Sequence, residues 1–132
     1  MLLLDTNIIS YLYKSDTRIK QYAPDLNDQR LAISLMTVAE LFQWSIIYKW
    51  GPTRIKRLEI WFDAGFTIFP IDRVLCHRWA KIRAECRAKG RPIDGQDAWI
   101  AATALQQNLP LITHNPKDFT AIDNLQIITH AR

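Results

Sequence analysis

The chain has 132 residues, 48% of them hydrophobic, which is enough for one core and too little for a second module, so a single domain over 1-132 is expected. No apolar run approaches a membrane span, and the amino terminus lacks a basic segment followed by a long apolar region and a cleavage site, which predicts a cytoplasmic protein. Seventeen Lys and Arg against thirteen Asp and Glu give a net charge of +4, which by itself points only weakly to an anionic partner.

In chain order, Leu2-Leu3-Leu4 stops on Asp5 and reads as a buried parallel strand that delivers a carboxylate to its carboxyl end. In an open α/β sheet that end is where ligands bind. Short helices are expected over residues 7–14 and 17–27, then a strand over 31–34. Thr37 is expected to open a helix that runs to Trp50, where Gly51-Pro52 stops it and starts another to Asp63. A third strand covers Thr67-Ile68-Phe69. From Asp72 to Lys89 the stripe Leu75, Trp79, Ile82, Cys86 recurs at helical spacing and Gly90 closes the helix. A further helix runs from Asp94 to Gln107, followed by a strand over 111–113, a short helix over 116–121 and a last strand over 126–129. Alternating strands and helices predict an α/β fold with a parallel sheet flanked on both sides. Cys76 and Cys86 fall about 15 Å apart along one helix, beyond disulfide reach, and are expected to be reduced, partly buried thiols.

Three acids recur three residues after an expected helix cap: Glu40 after Thr37, Asp97 after Asp94, and Asp118 after Asn115. Singly, each is explained by the positive end of a helix dipole. Placed in the fold, however, Glu40 and Asp118 follow strands at the edge where Asp5 ends, with Asp97 near them. Like charges gathered on one rim repel unless a cation neutralises them, and oxygen ligands of this kind suit Mg²⁺ or Mn²⁺.

Leu4-Asp5-Thr6-Asn7, Ser34-x-x-Thr37-x-x-Glu40-Leu41, Gly90-Arg91-Pro92-Ile93 leading to Asp97-x-x-Ile100-Ala101-Ala102, and Thr113-x-Asn115-x-x-Asp118-Phe119 together resemble the PIN domain. More narrowly they resemble the VapC-type toxins of toxin–antitoxin pairs, over nearly the whole chain and in the right order. The resemblance implies a three-layer α/β/α domain with a central parallel sheet of four to five strands. It also implies a metal-dependent endoribonuclease whose acidic cluster is Asp5, Glu40, Asp97 and Asp118, holding Mg or Mn. Asn7 and Asn115 match supporting polar positions, and Thr6 and Thr37 match hydroxyl positions beside the acids. Asp94 falls where many relatives are not acidic, so a helix cap is its first reading and an auxiliary ligand its second. Such toxins dimerise and are held inactive by a small cognate antitoxin, which predicts a homodimer and that partner.

Carboxylate-bound ions activate a water and stabilise charge on the scissile phosphate, so no protein nucleophile is required. Setting aside the five acids named leaves eight against seventeen bases, an excess that would attract an RNA backbone. Arg87, Lys89 and Arg91 are the candidate phosphate contacts, although for each taken alone a solvated helix face is the preferred reading. The aromatic-rich segment 41–66 exceeds what so small a core can hide, which predicts an exposed patch for self-association or a protein partner.

Other chemistries lack their residues. The three histidines have no zinc spacing, the serines no nucleophile-elbow context, and the glycines no phosphate-loop pattern. A haloacid-dehalogenase-type phosphatase needs a second Asp where Asn7 stands. The remaining alternative is a catalytically silent PIN-like module that binds RNA or protein, against which the retention of all four acid positions argues.

Overall fold

Five strands, β1 (Leu2–Leu4), β2 (Leu31–Ser34), β3 (Thr67–Phe69), β4 (Leu111–Ile112) and β5 (Ile127–Ile128), make one sheet in the order β3-β2-β1-β4-β5. Every pairing is parallel, with Leu2 opposite Leu31, Leu3 opposite Leu111, Ala32 opposite Thr67 and Ile112 opposite Ile128. The computed structural model describes residues 1–132.

Side chains alternate across a strand, so each sends hydrophobic groups to both faces. Leu3, Ala32 and Leu111 point into a core with Leu75, Ile82, Cys86, Ile100 and Phe119. Those partners come from α5 (Arg73–Ala88), α6 (Gly95–Gln107) and the second 3₁₀ helix (Pro116–Phe119). On the other face Leu2, Leu4, Ile33 and Ile112 meet Ile8, Ile9, Tyr22, Leu41, Leu58 and Phe62. These belong to α1 (Thr6–Lys14), the first 3₁₀ helix (Thr17–Tyr22), α3 (Leu35–Ile47) and α4 (Pro52–Gly65). The result is the three-layer α/β/α arrangement, with five strands. No helix is long and apolar enough to cross a membrane.

Local differences from the sequence reading have identifiable causes. The expected helix over 17–27 is a 3₁₀ helix followed by one α turn, α2 (Ala23–Leu26). Pro24 has no N–H to donate back into the preceding turn, so the chain restarts its helix there. The helix expected from Thr37 starts at Leu35 instead. Ser34 is its cap, accepting from the Thr37 amide at 3.2 Å, which corrects the reading of Thr37 as the cap before Glu40. That helix also ends at Ile47 rather than Trp50, because Lys49 turns left-handed at φ 53°. Cys86 is buried as expected, but Cys76, ten residues away on the same helix, is exposed.

Candidate active site

Asp5 leaves β1 just as the strand's ladder ends: its amide donates to the Ile112 carbonyl at 2.9 Å. The residue is 6% exposed and caps α1. One carboxylate oxygen accepts from the Thr6 amide at 2.7 Å, and the other accepts from the Thr113 hydroxyl, also at 2.7 Å. Burial pushes the Asp5 pKa up, and these two donors pull against it.

Starting α3 at Leu35 turns Thr37 inward. Ser34 Oγ lies 3.4 Å from Thr37 Oγ1, Thr37 Oγ1 lies 2.9 Å from Thr6 Oγ1, and Thr6 Oγ1 donates to Glu40 Oε1 at 3.1 Å. Because Thr6 spends its proton on Glu40, Thr37 donates to Thr6 and Ser34 to Thr37. Three hydroxyls thus run in one direction toward a carboxylate, tying β2 and α3 to the start of α1.

Asp94 caps α6, its Oδ1 accepting from the Asp97 amide at 2.8 Å. That cap sets Asp97 in the first turn of the helix. Burial raises the Asp97 pKa to about 7, helped by the charges of Asp94, Asp5, Asp118 and Glu40 in that order. Glu40 is also raised, first by burial, with Thr6 opposing and Asp5 and Asp94 adding to it. Asn115 serves differently from the cap expected of it. Its side chain makes no cap bond to the backbone and instead donates to Asp118 Oδ2, while its backbone amide donates to Thr113 Oγ1 at 3.0 Å. Asn7 Oδ1 accepts from the His114 amide at 3.2 Å, holding the same loop against α1.

Asp5, Glu40, Asp97 and Asp118 all line one cleft, with Thr6, Asn7 and Asn115. Asp94 does not; it lines the adjoining wall beside Asp97 and Asp118. Of the expected basic contacts, Arg91 stands on that wall and reaches Thr120 Oγ1. Lys89 is turned away, donating to the Ala121 carbonyl at 2.7 Å and pairing with Asp123 at 3.0 Å. Arg87 faces a separate groove beside Trp79 and Arg83.

Sequence reasoning missed Ser10, Tyr11, Lys14 and Trp44, which complete the cleft lining, along with Lys117 on the adjoining wall and the Thr113 donor beneath Asp5. Helical spacing held the signal: Asn7, Tyr11 and Lys14 share one face of α1, and Glu40 and Trp44 one face of α3. The aromatic segment does leave a surface patch, with Ile46 at 76% exposure and Ile47, Tyr48 and Ile60 also exposed.

The donor set fits a hard divalent cation. It is all oxygen, it is partly desolvated, and the pKa values of Asp5, Glu40 and Asp97 lie above the ordinary range, a strain that positive charge relieves. As the side chains stand, no three of them close on one point tightly enough to grip an ion. The four acids surround a cleft instead of forming a closed cage.

A parallel sheet that brings carboxylates from four separate segments to its carboxyl edge defines an α/β protein organised around an acidic cleft. The PIN domain model matches residues 2–125. Ribonuclease VapC1 of Haemophilus influenzae strain R2866 is 35% identical over 128 residues, 94% of this chain and 93% of that protein. The tRNA(fMet)-specific endonuclease VapC of Shigella flexneri is 27% identical, with coverage of 94% and 93%. The structure of VapBC-1 from nontypeable Haemophilus influenzae superposes with a TM-score of 0.79 at 33% identity, covering 97% of this chain and 96% of the other. The chain belongs to the PIN-domain family, in its VapC ribonuclease branch.

Proposed function

We propose that this chain is a Mg²⁺- or Mn²⁺-dependent endoribonuclease, the toxin of a toxin–antitoxin pair, with Asp5, Glu40, Asp97 and Asp118 as its metal-holding catalytic carboxylates. The observation that carries the reading is that these four acids, from the residue after β1, from α3, from α6 and from the second 3₁₀ helix, line one cleft. A divalent ion bound there would supply an activated water and neutralise charge developing on the scissile phosphate.

The chain's own groups hold that site in order. Thr113 and the Thr6 amide fix the Asp5 carboxylate, the three hydroxyls aim Glu40, Asp94 sets the helix that presents Asp97, and Asn115 steadies Asp118. Arg91 and Lys117 on the adjoining wall supply positive charge for the RNA backbone. The structural neighbour's VapBC assembly supports a cognate antitoxin partner. The exposed Ile46, Ile47 and Ile60 on α3 and α4 supply apolar surface for that partner or for a homodimer.

Cleavage of total cellular RNA, tRNA included, by the purified chain with Mg²⁺ or Mn²⁺ tests the reading. Asp5→Asn and Asp97→Asn are expected to remain folded and lose cleavage. Equal cutting by both variants and the parent would overturn the assignment.

A further inference from the structure

Lys14 and Trp44 line the carboxylate cleft, and both also line a second groove together with Tyr48, Trp50 and Arg54. The groove therefore adjoins the site at these two side chains. Its five residues are two cations and three aromatics, with no acid among them. Lys14 Nζ stands 5.7 Å from the Trp44 ring centre, and the Arg54 guanidinium 3.8 Å from that of Trp50. Tyr13 stacks on Trp50 at 5.5 Å with planes 20° apart, and its hydroxyl accepts from Arg54 Nε at 3.3 Å. Trp50 and Arg54 are thus held in place before any ligand arrives, and Tyr48 stands at the rim, 68% exposed.

The other side of the cleft differs. There Asp94, Asp97 and Asp118 share a wall with Arg91, Lys117 and Thr120 and with Pro92, Ile93 and Ala121, and no aromatic ring is present. One side offers mixed charge without rings, and the other offers positive charge with flat aromatic faces. Bases stack on aromatic rings and on guanidinium planes while lysine and arginine take the phosphates, but only when the bases are unpaired. An apolar peptide seated in the same groove would leave Lys14 and Arg54 without counter-charge.

We propose that the groove formed by Lys14, Trp44, Tyr48, Trp50 and Arg54 is a subsite for unpaired nucleotides of the RNA on one side of the scissile phosphate. The proposal rests on the nuclease reading, and it makes the substrate asymmetric. The strand is stacked and read on the groove side and held by its backbone on the Arg91 and Lys117 side.

Fluorescence anisotropy with two labelled probes tests it: an unpaired oligoribonucleotide long enough to reach Arg54, and a dinucleotide. Both are measured on the full chain carrying Asp97→Asn, so that neither is cut. Adding Tyr48→Ser with Arg54→Gln, both at exposed positions, is expected to weaken the long probe about 5- to 100-fold and the dinucleotide far less. Trp50→Phe should retain most of the long-probe affinity, and binding should quench tryptophan fluorescence. Unaltered affinity for the long probe in the double variant would overturn the subsite. So would a double variant that loses only a protein partner while its RNA affinity stands. If the parent chain cuts no RNA yet the groove variants still lose long-probe affinity, the nuclease reading fails and the subsite stands.

Discussion

The Thr113 hydroxyl donates to Asp5 Oδ2 at 2.7 Å, joining residues 108 positions apart at the floor of the acidic cleft. Thr113 is fully buried and also accepts from the Asn115 amide, so one hydroxyl positions both Asp5 and the loop carrying Asp118. Thr113→Val keeps the shape and removes both bonds. The expected cost is about 1–3 kcal/mol of stability and about 10- to 100-fold in metal affinity or cleavage, the usual effect of losing a group that orients a ligand. Thermal melting and metal titration would separate the two effects.

Asp97 makes the metal-free protein sensitive to pH. Its folded pKa is raised from 3.8 to about 7, so the folded state holds a proton that the unfolded chain gives up. Its contribution to stability is full below the unfolded value and is lost as pH rises through the folded one. Metal-free protein should therefore melt lower at about pH 8 than at about pH 5. Asp97→Asn should flatten that slope, and saturating Mg²⁺ should oppose it. With Asp97 as the proposed ligand, ion and proton compete for one carboxylate, and apparent metal affinity should improve with pH over the same interval. A melting temperature that rises steadily across this range in the metal-free parent would contradict the assignment.

Glu40 depends on its hydroxyl support. Thr6→Val removes the donor to Glu40 and leaves Thr37 without its acceptor, whereas Thr6→Ser keeps both bonds. Cleavage should fall about 10- to 100-fold in the valine variant and stay near the parent in the serine one. Comparable losses in both would assign the residue a packing role only.

Tyr22 ties the end of the chain to the sheet. It is fully buried, its hydroxyl meets His114 Nδ1 at 2.5 Å, and it accepts from the His130 amide at 3.2 Å. Tyr22→Phe should cost about 1–2 kcal/mol, or about 4–7 °C in melting temperature for a domain of this size, with increased hydrogen exchange at His130.

The two thiols should separate cleanly. In the native chain a thiol reagent should modify Cys76, which is exposed, and spare Cys86, which lies 1% exposed with a pKa raised by burial. Equal rates at both would mean that α5 opens readily.

Strand identities and layer order were legible because apolar runs such as Leu2-Leu3-Leu4 alternate with amphipathic helices at clear spacing. Asp5, Glu40, Asp97 and Asp118 were legible as candidates because each sits beside a strand end or a helix start. Cap positions were less so: Ser34 and Thr37 are both good caps by type, and only the contact of Thr37 with Thr6 at the start of α1 separates them. Lys89 and Arg91 look equivalent in sequence, yet one pairs with Asp123 and the other borders the acids. Lys14 and Trp44 are less legible because they join the acids along helix faces, Lys14 from Asn7 on α1 and Trp44 from Glu40 on α3.

The sheet order also sets the moment at which the protein becomes competent. The central strand β1 is made first, but its neighbour β4 and the Thr113, Asn115 and Asp118 groups around the cleft belong to residues 111–118. During synthesis the chain can assemble much of its α1, α3 and α4 side while the cleft still lacks one wall. Hydrolytic competence therefore waits on residues 111–118, and a nascent chain that has not yet reached them is an inert fragment, however well its earlier half has packed.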